Sequence, residues 1–479
     1  MFKVTQNQDN YLGLVIYDLP SFTVKRLTTD GKADCYRIFP QSKGMLHSAL
    51  FGGPLPPGTY EFPTVGTGQD YSAPCGSDSG DSKFIRFKVQ ADKLSYLGTI
   101  ELTASDKRRR SILAPELAPD MQPVSELVKV EFPELERFVS NPIVGWIPTS
   151  APPGLETIQR YAVTNSFGLL DPSETSEGGF IFGSRAGVIR EWEPGSQQPL
   201  IHDAHVRASL ESTAVLPNGS WLAGGEGSAL LMSSDRGKSW KSVRGNLPFG
   251  AIVSLDADAS GKVYVTVLED SNVRIYSGQP DTGQWTEIAS YSTTFNHWTS
   301  IPGVLPHTFL QDGKLITSVP SKQVAVYDLQ SDKSVIRDLP GAIQVFSVSA
   351  DGALHCRCNG FAVNPWDSHD FGQTWARSPS SRWMMMPAMR NAHHGVAWVG
   401  AMMGKRGMAY TDDDGQTWHL STETPDVFPQ HVFYSKDGKQ AFATNDVNVL
   451  WESDDDGHSW HTVMSISRPA GELAGSTLE

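Results

Sequence analysis

Two histidines flank an aspartate at His202-Asp203-Ala204-His205, offering imidazole and carboxylate ligands to a transition metal on one loop. Two or three ligands fall short of a closed site, so no metal is expected there. Methionines crowd at Met384, Met385, Met386, Met389, Met402, Met403 and Met408, with His393 and His394 nearby. Thioethers suit Cu(I). Strand alternation, however, puts Met384 and Met386 on one face and Met385 on the other, which favours adaptable core packing. Glu226, Glu269 and Asp270 fall in loop-like segments where a glycoside hydrolase would carry two facing acids. Nothing in their spacing pairs them. No catalytic residue is assigned, and no cofactor is expected.

The elements that would position such side chains come in copies. The stretch SDDDGHSW runs from Ser453 through Asp455 and Gly457 to Trp460. The same template fits Ser233, Asp235, Gly237 and Trp240, then Ser368, Asp370, Gly372 and Trp375, then Thr411, Asp413, Gly415 and Trp418. Weaker copies lie around Gly195, Gly283 and Asp332-Lys333-Ser334. Anchored at residues 195, 237, 283, 334, 372, 415 and 457, the intervals are 42, 46, 51, 38, 43 and 42. That period suits propeller blades. A second series of turn glycines, at Gly219, Gly261, Gly313, Gly352, Gly395 and Gly438, keeps nearly constant phase with the first. Between the turns lie short apolar segments such as KVYVTVL, KLITSV and GVAWVG, which read as strands. Each unit is therefore strand, tight turn, strand, loop, strand, template turn, strand. Within the template, Asp accepts backbone N–H bonds, Gly supplies positive φ, Ser or Thr bonds back to the turn, and Trp buries apolar surface.

These residues resemble the Asp box of sialidase-like (BNR-repeat) β-propellers. The resemblance rests on four well-fitting boxes and covers about two thirds of the chain. It implies an all-β fold with a seven-bladed propeller over 157–466, its boxes placed peripherally between third and fourth strands and purely structural. It also implies that ligands meet the opposite rim, on loops joining consecutive blades and loops joining second to third strands. Those loops carry His202, His205, Arg207, Trp298, Arg382, Trp383 and Arg406 as expected ligand-binding residues. Aromatic and basic groups there suit a glycan or a protein surface. The Arg-Ile-Pro motif of sialidases is not matched: Arg37-Ile38-Phe39-Pro40 has an extra residue and precedes the repeats.

Residues 1–103 lack the repeat. Their apolar clusters between turn signals read as a small β-sandwich, similar in a general way to immunoglobulin-like or prealbumin-like accessory domains of bacterial envelope proteins. Residues 104–156 read as a linker with one amphipathic helix over 123–138, disturbed at Pro133, and 467–479 as a tail. Cys35 and Cys75 could pair in an oxidising compartment, whereas Cys356 and Cys358, two apart on one strand face, are expected to be buried thiols.

The net charge of −14 with a single short basic run at 107–110 argues against a nucleic-acid partner. No apolar run of 18 residues exists, so no transmembrane helix is expected. Met1 to Asn10 is polar and unlike a signal peptide. The terminal Leu478-Glu479 fits a cloning scar, which would put Met1 in place of a removed leader. The reading is a non-catalytic binding or assembly module, periplasmic or extracellular, with a protein or glycan at the propeller face and an envelope protein at the N-terminal domain. The alternative is an exported glycoside hydrolase, sialidase-like or other.

Overall fold

The computed structural model describes residues 2–6, 22–28, 33–38, 40–43, 48–61, 86–104, 111–115, 124–140, 142–147, 172–269, 272–293, 305–319, 322–349, 352–358, 364–378, 384–391, 393–399, 406–424, 429, 431–444 and 449–465. Among them, from Ser173 to Ser465, the chain folds into seven four-stranded sheets, each made of four consecutive strands in antiparallel order. The first sheet comprises Ser173–Glu174, Phe180–Gly183, Val188–Trp192 and Leu200–Asp203. The second comprises Leu210–Val215, Trp221–Gly225, Leu230–Ser233 and Lys241–Ser242, and the third Ala251–Ala257, Val263–Glu269, Asn272–Gln279 and Gln284–Ser292. The fourth is Thr308–Gln311, Lys314–Val319, Gln323–Asp328 and Lys333–Asp338, and the fifth Ile343–Val348, Leu354–Cys358, Asn364–Ser368 and Ala376–Arg377. Met384–Met389, Gly395–Val399, Gly407–Thr411 and His419–Leu420 form the sixth. His431–Tyr434, Ala441–Thr444, Val449–Ser453 and His461–Ser465 form the seventh.

Burial within these sheets follows strand position. Trp221–Gly225 and Ala441–Thr444, both second strands, are buried at every residue. Continuous burial means that both faces are covered, so each sheet is sandwiched between neighbours. Fourth strands lie at the outside, where Val335 and Ile336 are exposed. The first and last sheets share one apolar cluster of Phe180, Phe182 and Trp192 with Phe442, Leu450 and Met464. Lys436 N also donates to Glu174 Oε2 at 2.5 Å across 262 residues. Repeated antiparallel sheets with the last packed on the first make a β-propeller.

The template turns explain how the second, fifth, sixth and seventh sheets grip the one before. In all four copies the first hydroxyl donates to the aspartate and accepts from the glycine N–H. For the copy starting at Ser233, Oγ lies 2.8 Å from Asp235 Oδ1 and 2.8 Å from Gly237 N. Asp235 Oδ1 accepts from Ser239 N at 2.9 Å, and Oδ2 from Ser239 Oγ at 2.6 Å. The copies at Asp370, Asp413 and Asp455 repeat this pattern within about 0.2 Å. The bonds depress the carboxyls. The Ser239 hydroxyl and N–H hold Asp235 at about 2, and the Thr374 N–H and hydroxyl hold Asp370 at about 2. Asp413 is lowered chiefly by the Thr417 hydroxyl. Burial pushes Asp455 up, but bonds from Ser459 outweigh it.

Two successive residues in each turn are left-handed. Gly372 has φ +84°, and Phe371 before it has φ +56°. Arg236, Asp414 and Asp456 stand in the same strained place as Phe371. The turn then lies on the preceding sheet. A Cβ on Gly237 would meet His202 Nδ1 of the first sheet at 2.6 Å, and one on Gly372 would meet Val324 of the fourth at 3.0 Å. Trp240, Trp375 and Trp460 pack into clusters with the first, fourth and sixth sheets respectively. Charged side chains add to the grip. Arg236 reaches Glu191 and Glu193 at 3.1 and 3.2 Å, Arg337 donates to Asp370 O at 3.0 Å, and Arg390 pairs with Asp456.

Two repeat anchors move. Asp332, with φ +56°, occupies the turn of the fourth sheet, while Ser334 already belongs to the strand Lys333–Asp338. In the sixth sheet the turn is closed by Arg390 N bonding to His394 O, and Gly395 starts the next strand.

Before the repeats, Ser111–Pro115, Thr99–Ala104, Phe2–Gln6, Ser48–Phe51 and Pro40–Lys43 lie in that order in a mixed sheet. Ala33–Ile38, Phe22–Leu27, Gly58–Glu61 and Arg86–Val89 form an antiparallel one. Two segments read as linker are strands instead. Ser111–Pro115 pairs with Thr99–Ala104, and Ile143–Val144 with Ser95–Tyr96. The single helix expected over 123–138 is two: an α-helix Val124–Glu131 and a 3-10 helix Pro133–Phe138. Pro133 has no N–H and pushes Phe132 out of helical geometry, to φ −141°. Val124, Val128 and Phe132 share one cluster with Leu50 and with Phe249, from the loop before the third sheet.

Cys356 and Cys358 are joined by a disulfide, which corrects the reading of two thiols. Alternation points both side chains to one face, and their Cα atoms are 5.5 Å apart, within bridging range. Cys35 is also disulfide-bonded; Cys75 lies outside the described residues.

Candidate functional site

First strands of the sheets carry small hydroxyls among apolar residues, as in LESTAV and AIVSLDA. Alternation turns alternate side chains to opposite faces, so serines and threonines recur along the inner edge. Five neighbouring first strands, from the first sheet to the fifth, enclose a cavity of about 270 Å³ lined by Ser173, Ser212, Thr213, Ser254, Asp256 and Thr308, among others. Hydrogen bonds tie the strands around it. Ser173 Oγ donates to Thr213 O at 2.8 Å, and Ser254 Oγ to Thr308 O at 3.0 Å. Thr266, Thr308 and Thr317 form a hydroxyl ladder at 2.6 and 3.0 Å.

Among the described residues Asp256 is the one carboxylate in this lining. Its oxygens accept from Leu310 N and Ala257 N at 2.9 and 2.8 Å. Burial still pushes its pKa up, against those two bonds. Ser212 Oγ is buried with no hydrogen-bond partner. The arrangement offers hydroxyls and one protonatable acid to a neutral polar group.

Of the expected mouth residues, His202, His205, Arg207 and Arg406 lie among the described residues. His202 lies on the first sheet's fourth strand, edge-on to Trp221 with centroids 5.5 Å apart, and its Nε2 is 2.9 Å from buried Glu191. It supports the second sheet's template turn. His205 is exposed in a left-handed turn, its N–H donating to Asp203 Oδ1 at 2.7 Å. With His202 held by Glu191 and His205 by Asp203, the two imidazoles have separate partners. Among the described residues no group of three or more His, Cys, Asp or Glu could hold a metal ion. Arg207 donates to Val206 O at 3.1 Å, and Arg406 is exposed. Trp298, Arg382 and Trp383 lie outside the described residues, as do Asp270, Met402 and Met403.

The candidate acids are separately engaged. Glu226 is fully buried, and Glu269 pairs with Arg274 at 3.3 Å. Sequence reasoning missed Asp256. Its signal was an acid inside a mainly apolar strand, where solvation alone would not place one.

No family model matches the chain, and no curated protein is similar to it. Among solved propeller structures, YCF48 bound to a peptide is 16% identical, covers 61% of this chain and 95% of its own, and has a TM-score of 0.49. A streptogramin B lyase is 15% identical over 59% of this chain and 91% of its own, TM-score 0.44. The GH74 enzyme of Niastella koreensis is 11% identical over 66% of this chain and 67% of its own, TM-score 0.36. These overlaps carry no argument about function.

Proposed function

We propose that the seven sheets are the blades of a closed seven-bladed propeller with Asp boxes, and that it is a binding or assembly module whose ligand enters at the axis. The observation carrying this reading is the hydroxyl-lined axial cavity with its tied carboxylate, Asp256. Such a lining satisfies the polar groups of a glycan or a peptide loop. The part before the propeller, which takes in the strands Ser111–Pro115 and Ile143–Val144, is an accessory domain, and an envelope protein is its partner. The Cys356–Cys358 bridge supports a periplasmic or extracellular location.

The test pairs binding with turnover. Glycan-array and peptide-array binding by the wild type is expected to fall at least tenfold on Ser254→Trp, which fills the cavity. Assay of aryl glycosides, including a sialoside, is expected to show no turnover. Turnover abolished by Glu226→Ala, Glu269→Ala or Asp270→Ala would establish the glycoside hydrolase instead.

A further inference from the structure

The fifth sheet carries a row of polar groups on the face turned to the sixth. Strand register sets Ser347 opposite His355, and His355 opposite Asp367. Directly opposed side chains share a face. His355 Nδ1 lies 2.8 Å from Asp367 Oδ1, which fixes the ring. Arg357, two residues along the same strand, stands on that face too.

Both side chains are incompletely satisfied. His355 Nε2 and Arg357 Nε are buried and have no hydrogen-bond partner. Burial alone acts on the Arg357 guanidinium, lowering its pKa, with no carboxylate beside it. A half-buried cation without a counter-charge is costly, and an anion would relieve that cost. His355 and Arg357 line a cavity of about 240 Å³ between the fifth and sixth sheets, with Val345, Pro387, Met389 and Asp414.

The lining selects the anion. Among the described lining residues the two carboxylates are already engaged, Asp367 by His355 and Asp414 by His393. One guanidinium balances one negative charge, and a dianion would face both carboxylates uncompensated. A planar carboxylate matches the guanidinium fork. Val345, Pro387 and Met389 offer apolar surface for a short body.

We propose that this cavity binds a small organic monocarboxylate, with the carboxylate on Arg357 and its aliphatic part against Val345, Pro387 and Met389. The site adjoins the axial cavity at Ser349 but does not depend on that cavity binding anything.

Isothermal titration of the full chain with sodium butyrate, butyramide and inorganic phosphate, at constant ionic strength, tests it. Saturable butyrate binding is expected, at least tenfold weaker in Arg357→Gln and unchanged in Arg377→Gln, which removes the same charge outside the cavity. Absent butyrate binding, equal affinity in Arg357→Gln, or tighter binding of butyramide or phosphate would each overturn the proposal. Should Arg357→Gln fail to fold, the Met389 methyl resonance of the unaltered protein decides. Its shift must saturate with butyrate, and a stationary resonance during binding overturns the site.

Discussion

The rings of Phe180 and Phe442 meet edge to face with centroids 4.7 Å apart, although one lies in the first sheet and the other in the seventh. Trp192 stacks on Phe180 at 5.9 Å, and Phe433 meets it at 5.2 Å, so one aromatic knot joins the two ends of the array. Aromatic pairs of this geometry add roughly 0.5–1.5 kcal/mol beyond area burial.

Phe442→Ala is expected to lower unfolding free energy by about 3–5 kcal/mol, the range for deleting a buried aromatic ring. Phe180→Ala should cost a similar amount, and the double variant less than their sum, because the two rings are in contact. Denaturant titration measures all three. Ile336→Ala on an exposed outer strand should stay within about 0.5 kcal/mol of wild type.

The template aspartates make stability fall in acid. Asp235 and Asp370 sit at about 2 in the folded chain against 3.8 when unperturbed. A depressed folded pKa stabilises above the unfolded value and ceases to do so as pH drops through the folded one. The Tm should therefore decline between about pH 4 and pH 2. Asp235→Asn and Asp370→Asn together should flatten that decline while lowering Tm at pH 7, as followed by circular dichroism.

Turn glycines should differ by what surrounds them. Gly219 has φ +83° and nothing within 4 Å of an added Cβ, so Gly219→Ala carries backbone strain alone, about 1–2 kcal/mol. Gly237→Ala adds a clash with the His202 ring to the same strain. Its unfolding midpoint should lie clearly below that of Gly219→Ala. Equal midpoints would show that the second sheet's turn does not press on the first.

The bridge between Cys356 and Cys358 has a chemical readout. In unfolded, unreduced protein, iodoacetamide should leave the peptide bearing both cysteines unmodified. After dithiothreitol the same peptide should gain two carbamidomethyl groups by mass spectrometry. Labelling before reduction would restore the reading of two thiols.

Much of the fold is legible because the template is local. Ser233, Asp235, Gly237 and Ser239 bond to one another within seven residues, so the string itself specifies the turn. The left-handed residue before each glycine was not legible, since Arg236 and Phe371 stand where Asp414 and Asp456 do, so no one side-chain type marks the place. Asp332 replaces a turn glycine without signalling it, which displaced one anchor. The site was less legible than the frame. His202 reads as a mouth residue by chain position, but its partners Glu191 and Trp221 are set by packing between sheets. The His355, Arg357 and Asp367 row depends on register, which the strand strings alone do not fix.

Because each template turn leans on the sheet before it, the array has a direction that matches the order of synthesis. Each sheet with such a turn finds its support already made when it leaves the ribosome. The first alone must wait for the last: until Phe442 and Leu450 arrive, Phe180, Phe182 and Trp192 have no cover on that side. The array is thus sticky at its first edge while residues 193–442 are being made, and truncation before Phe442 leaves it so permanently, a ready seam for aggregation or for a neighbouring copy's seventh sheet.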